Sequence, residues 1–115
     1  MTEAQSLLDT VLETLNDSKA LDINVFEVSK LTSIADFMII ASGRSNRQVS
    51  AIAEKVVQQA KANGTIPLGE EGRKQGEWVL VDLGDIIVHI MHPETREYYQ
   101  LEKLWQDTEK KLGRN

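Results

Sequence analysis

The sequence predicts an α/β protein, a single domain in which helices pack on a mixed β-sheet. Three observations lead there. Apolar residues recur at helical spacing in two separate segments, residues 4–15 and 49–60. Short apolar runs, above all Phe37-Met38-Ile39-Ile40-Ala41, read as strands, and a nearly continuous run marks a strand buried on both faces. The order of the segments, α-β-β-α-β-β-α, suits a sheet with helices laid on it. At 115 residues the chain (1–115) has no room for a second core, yet a domain of this size buries roughly two-thirds of its unfolded surface and folds without staples.

Each element has its own signature. Thr2 and Gln5 have capping-box spacing at the start of the first helix, and Ala4, Leu8, Val11, Leu12 and Leu15 form its apolar stripe before Asn16-Asp17-Ser18 ends it. Two strands follow, Ile23 to Val28 and Asp36 to Ala41, joined by the polar stretch Ser29–Ser33. The first carries Ile23 and Val25 on one face and Phe26 and Val28 near the other. Ser42-Gly43-Arg44-Ser45 is a tight strand-to-helix turn, and Ser45 with Gln48 repeats the capping-box spacing. Val49, Ile52, Ala53, Val56 and Ala60 supply the second helix's stripe, and Gly64 can end it in a left-handed conformation.

Thr65 to Gly76 reads as a glycine-rich loop of mixed charge. Beyond it, the apolar runs of Trp78–Val81 and Ile86–Met91 flank Asp82-Leu83-Gly84-Asp85, the pattern of an antiparallel hairpin. Pro93 suits the first turn of a last helix, where its missing amide costs nothing. Leu101, Leu104, Trp105, Thr108 and Leu112 would form that helix's apolar side. There is no internal repeat and no low-complexity tract.

Composition narrows the function classes. Apolar residues at 41% and charged residues at 27% are those of an ordinary globular domain. The absence of cysteine excludes disulfides, thiolate metal sites and thiol chemistry. No secretion signal stands at the N-terminus, and no apolar stretch reaches the ~20 residues that span a bilayer, so the expected compartment is the cytoplasm, with no membrane partner. A formal net charge of −5 opposes broad binding to a phosphate backbone and suits a basic protein partner; no sequence-specific nucleic-acid binding is expected.

Within the hairpin, side chains alternate between faces. Val79, Val81, Ile86, Val88 and Ile90 can line the core, which leaves Trp78, Leu80, Ile87, His89 and Met91 on the other side, where a one-sided sheet would be polar. Two arrangements suit that face. The C-terminal helix covers it, or it stays partly open as an interface rimmed by Glu77, Asp82 and Asp85; tryptophan and methionine are favoured in such interfaces. Arg44 and Arg47 stand at the start of a helix, against its dipole, where exposed amides can hold an anion or contact a partner. Solvated arginines on a capped helix fit the same residues, and a single glycine is a weak phosphate signal.

Catalytic constellations do not emerge. A two-metal phosphoryl-transfer site needs clustered carboxylates, and Asp36, Asp82 and Asp85 are the candidates, but the last two flank a tight turn where aspartate is commonplace. His89 and His92 are three apart, so on one strand they point to opposite faces and cannot share an ion. Neither Ser42 nor Ser45 has a base nearby in sequence. No catalytic residue, metal or cofactor is expected.

The chain resembles the Iojap or ribosomal silencing factor family of bacteria and organelles. The likeness runs from Asp22 to Trp105 and is densest at Ser33–Ile40, Ser42-Gly43, Arg47-Gln48-Val49, Ile52-Ala53-Glu54, Pro67–Gly72, Trp78–Asp85, His89, Arg96 and Tyr98–Trp105. The resemblance implies a nucleotidyltransferase-like topology. It also implies binding to the large ribosomal subunit through ribosomal protein fourteen, on the face where the small subunit docks, so that joining is blocked and translation is damped when nutrients are short. Transferases of that fold usually carry a glycine-serine turn and then an Asp-x-Asp pair on the next strand. Here the turn is Ser42-Gly43 and the strand has only its terminal Asp82, so the expectation is a binding protein and not an enzyme. The expected partner-binding residues are Trp78, Leu80, Met91, Tyr98 and Tyr99 as apolar anchors, with His89 and Arg96 among the matched positions. Asp82 and Asp85 would steer a basic partner. Two rival functions are a magnesium-dependent nucleotidyltransferase-type enzyme using Asp36, Asp82 or Asp85, and a module whose sheet face pairs with its own copy, a homodimer when free.

Overall fold

The structure is a computed structural model that describes residues 3–105 and 109–110. Two long helices, α1 (Glu3–Asp17) and α2 (Asn46–Ala62), accompany the strands β1 (Leu21–Glu27), β2 (Phe37–Ser42), β3 (Gly69–Glu71), β4 (Trp78–Asp82), β5 (Ile86–Met91) and β6 (Glu109–Lys110). A short helix α3 (Pro93–Tyr99) leads into a 3-10 turn, Leu101–Leu104. The strands form one six-stranded sheet in the order β3-β4-β5-β2-β1-β6. Among the described residues only β2 and β5 run parallel, so the sheet is mixed. The parallel pair sits at the centre, where burial on both faces matches the apolar runs of β2 and β5.

Helices α1 and α2 cover one face. Leu8, Val11 and Leu15 from α1 and Val49, Ile52, Ala53, Val56 and Ala60 from α2 meet Val25, Ile39, Ala41, Val79, Val81, Ile86, Val88 and Ile90 from the strands. This core contains the five hairpin residues expected to line it. The helix signals hold in detail. The Ser45 hydroxyl caps α2 by accepting the Gln48 amide at 3.1 Å, although the Gln48 side chain accepts from the Arg44 amide, one residue earlier than a reciprocal box requires. At the other end Gly64 has φ +91°, and the Thr65 and Gly64 amides donate to the Ala60 and Lys61 carbonyls at 2.8 and 3.1 Å, a Schellman closure. The Thr2 half of the first capping box lies outside the described residues.

Two expectations need correction. Thr65–Gly76 is not all loop, because β3 pairs antiparallel with β4 inside it. Its three residues, Gly-Glu-Glu, have neither alternation nor strand propensity, and the open edge of β4 organises them instead. Gly72 is obligatory at the end of this pair: it has φ +89°, and a Cβ there would lie 2.1 Å from the Trp78 carbonyl oxygen. The second correction is at the C-terminal end, where one continuous helix was expected. Helix α3 stops at Gln100, which adopts φ 50° and ψ 50°, the chain continues as the 3-10 turn, and β6 pairs with β1. Leu104, assigned to the apolar side, is 68% exposed, because the left-handed residue rotates the following turn away from the phase of α3. Thr108 and Leu112 lie outside the described residues.

Candidate partner-binding surface

The register of the sheet builds the site on the face that α1 and α2 leave uncovered. Trp78 stands opposite Met91, Leu80 opposite His89 and Asp82 opposite Ile87, while Met38 and Ile40 of β2 align with Ile87 and His89. Side-chain alternation then gathers Trp78, Leu80, Ile87, His89, Met91, Met38 and Ile40 on one surface. Part of that surface is roofed. Leu101 and Trp105 pack with Phe26, Val28, Ile40 and Met91 into a second apolar cluster, to which Met38 and Trp78 also belong. The C-terminal segment therefore covers the β1–β2 side and leaves Leu80 and Trp78 half-buried near the hairpin. The face is thus covered by the C-terminal segment over one part and left partly open over the other.

An aromatic ladder crosses the boundary between roof and opening. Trp78 and Tyr99 have ring centroids 5.0 Å apart and tilted by 48°, and Tyr98 meets Tyr99 edge-on, also at 5.0 Å. Both separations are those of aromatic pairs in contact, and the edge-on arrangement is a favoured one. Tyr98 is 81% exposed and Tyr99 54%, so large amphipathic rings face solvent. The Trp78 indole N–H donates to Nδ1 of His89 at 2.9 Å. His89 is only 7% exposed, and burial pulls its pKa down to about 4.

Three residues assigned as partner contacts lie beneath this surface. Met91 is 0% exposed inside the second cluster, and His89 is buried under Trp78. Arg96 is 8% exposed; its guanidinium donates to the Ser42 hydroxyl at 2.9 Å and to the Glu102 carboxylate at 2.7 and 2.9 Å. Glu102 also accepts from the Asn24 side-chain amide at 3.3 Å. This network ties α3 and the 3-10 turn to the ends of β1 and β2. Beside it opens a cavity of about 390 Å³ lined by Asp22, Ser42, Arg96, Gln100 and Glu102, among others. Sequence reading missed the cavity because its walls are far apart in the chain.

The acidic rim is split in role. One Asp82 carboxylate oxygen accepts the Gly84 amide at 2.9 Å, which fixes the hairpin turn. The side chain of Asp85 is exposed, while its carbonyl accepts the amides of Asp36 and Phe37 at 2.8 and 3.1 Å. Asp36, Asp82 and Asp85 thus meet at one end of the sheet, yet among the described residues no group of three or more His, Asp or Glu side chains is placed to hold a metal ion. His92, the first residue after β5, accepts the Glu94 amide at 3.2 Å and caps α3. Arg44 and Arg47 are exposed at the start of α2, and α2 packs on the opposite face of the sheet from the aromatic ladder. Leu31, Ile34, Ile66 and Leu68 are further exposed apolar residues that the sequence did not flag. Of these Leu68 lies at the hairpin turn, its amide donating to the Asp82 carbonyl at 2.8 Å. No described helix is long and apolar enough to cross a membrane.

Comparison with known proteins agrees with the resemblance read from the sequence. The family model described as "Ribosomal silencing factor during starvation" matches residues 1–114. A ribosomal silencing factor from Chromobacterium violaceum is 48% identical over 103 residues, covering 90% of this chain and 84% of that protein. A crystal structure of a protein from the same organism superposes with a TM-score of 0.89 at 47% identity, covering 91% of this chain and 88% of that one. A mouse protein named for mitochondrial assembly of the ribosomal large subunit is 35% identical over 101 residues, covering 85% of this chain and 44% of that protein. With residues 1–114 matched and its fold shared, the chain belongs to the ribosomal silencing factor family.

Proposed function

We propose that this protein docks on the large ribosomal subunit through ribosomal protein fourteen, blocks joining of the small subunit, and so represses translation when nutrients are limiting. The observation that carries the reading is the aromatic ladder that runs from half-buried Trp78 to exposed Tyr99 and Tyr98. A surface of this kind is expensive to leave in water and has the composition of an interface centre. The exposed acids Glu77, next to Trp78 in the chain, and Asp85, at the turn end of the same hairpin, suit a basic partner such as a ribosomal protein. The mouse relative's name points to the large subunit as the side that is bound. Steric exclusion needs no chemistry. A body of 34 × 32 × 26 Å seated on the joining face holds apart two surfaces that must approach to about 4 Å to touch. The protein acts in the cytoplasm, as a binding protein and not an enzyme.

Cosedimentation with separated subunits tests this directly. The protein should pellet with large subunits and not with small ones, and should lower the yield of joined ribosomes. Trp78→Ala should weaken pelleting about thirtyfold, corresponding to roughly 2 kcal/mol from a central aromatic. Equal pelleting with both subunits, or full joining at saturating protein, would refute the proposal.

A further inference from the structure

Trp78 is held by two different contacts. The exposed Tyr99 ring has its centroid 5.0 Å from that of the indole. The indole N–H donates to Nδ1 of buried His89 at 2.9 Å, with the ring centroids 5.8 Å apart. An indole nitrogen can only donate, so Nδ1 must carry the lone pair and the imidazole proton sits on Nε2. His89 occupies the middle of β5, in register with Leu80 on one side and Ile40 on the other. An aliphatic residue would pack well in such a place. A histidine there is costly to bury, and what it adds over an aliphatic is an acceptor beneath the indole.

We infer that His89 is a positioning residue for docking: its Nδ1 hooks the Trp78 indole and presets the aromatic ladder in its binding orientation before the partner arrives. The inference rests on the docking function proposed above. A tryptophan on a solvent-facing strand has several rotamers, and fixing one of them on binding reduces affinity by the entropy that is lost. The hook moves that loss into folding. It also points the polar edge of the indole into the protein and turns the hydrocarbon edge outward, so no unpaired N–H is buried when a partner covers the ring. Tyr99 packs at a tilt against the indole that the hook has oriented, and Tyr98 meets Tyr99 edge-on, so the orientation of one ring passes to all three.

Two substitutions at position 89 separate the hook from mere packing. His89→Leu fills the site but has no acceptor. His89→Asn places Oδ1 where Nδ1 stands and can accept the same N–H. Each variant is measured as folded protein for its affinity for isolated large subunits, and the Trp78 indole N–H is followed by nitrogen-15 NMR, with Trp78→Phe assigning the resonance. His89→Leu should bind about tenfold more weakly, the scale expected for one freed aromatic side chain and one lost hydrogen bond. Its indole N–H should exchange readily with water. His89→Asn should recover most of the affinity and keep the N–H protected. Wild-type affinity in the leucine variant despite a freely exchanging indole overturns the inference, as does an asparagine variant that binds as weakly as the leucine one with its N–H protected. Wild-type protein that fails to pellet with large subunits would instead overturn the docking function, and the role of His89 in it, whatever the NMR reports about the hook.

Discussion

At the scale of single residues, His89 and Trp78 form one unit with two consequences. The bond joining them requires a neutral imidazole, and burial favours the same state by lowering the His89 pKa to about 4 from an ordinary 6.5. The effect on stability has a definite sign. Well above pH 6.5 the histidine is neutral in both folded and unfolded chains and contributes no pH dependence. Between 6.5 and about 4 the unfolded chain takes up a proton that the folded one refuses, so stability falls with falling pH and levels off below the folded value. The full span is worth about 3 kcal/mol. Unfolding by denaturant across this range should show that slope in the wild type and lose it in His89→Leu, leaving only the carboxylate contribution at lower pH. Parallel profiles for the two proteins would mean that His89 titrates normally. Neither partner's role was legible before the register was known. Trp78 stood out as a large apolar residue on a non-core face, and its half-buried, ladder-forming position agrees with that. Position 89 could be placed on the same face, but nothing in a lone histidine reveals that it is an acceptor beneath an indole.

At the scale of elements, what the sequence revealed depended on how local the determining interactions are. Helix α2 was readable from end to end, because the Ser45 cap, the apolar stripe and Gly64 all act within one segment. The β4–β5 hairpin was readable for the same reason, with Asp82 bonding to the Gly84 amide inside its own turn. The C-terminal segment was not, because its course is set by a contact 54 residues away, from Arg96 to Ser42, and by a left-handed Gln100 that no local signal marks. Strand β3 likewise exists through its pairing with β4. The Arg96 network gives a test of this account. In Arg96→Met the Glu102 carboxylate loses its cationic partner and keeps the Asn24 amide, and the Ser42 hydroxyl loses its guanidinium donor. A buried ion pair broken on one side costs roughly 3–5 kcal/mol, and the 29% exposure of the Glu102 side chain reduces this to about 2. Adding Glu102→Leu should restore a large part of the loss, since no unpaired charge remains. Hydrogen exchange should locate the loosening in residues 93–105 and leave the helix-covered face protected. Additive losses in the double variant would show that the pair does not hold the segment in place.

At the scale of the whole molecule, a net charge of −5 gives a field that favours approach to a basic surface and opposes approach to exposed RNA phosphates. A ribosomal subunit presents both, and the proposed docking through a protein on the subunit surface is compatible with this field. Asp82 and Asp85 stand at one end of the uncovered sheet face, but they differ in what else they do. Asp82 is half-buried and bonded to its own turn, whereas Asp85 is exposed and uses its backbone, not its carboxylate, to hold β2. Asp85→Asn therefore isolates the long-range term: it removes one charge and leaves the backbone contacts in place. Melting temperature should be nearly unchanged, association with large subunits should slow severalfold at low salt, and dissociation should change little. Raising ionic strength from about 0.01 to 0.15 M shortens the screening length from roughly 30 to 8 Å, so the difference between variant and wild type should shrink over that range. In Asp82→Asn the amide oxygen can still accept the Gly84 N–H, so the turn survives and the same kinetic signature should appear. A variant whose loss of affinity lies in dissociation, and persists at high salt, would place that aspartate inside the contact, where it pairs directly with the partner, and would leave steering to the remaining acids of the rim.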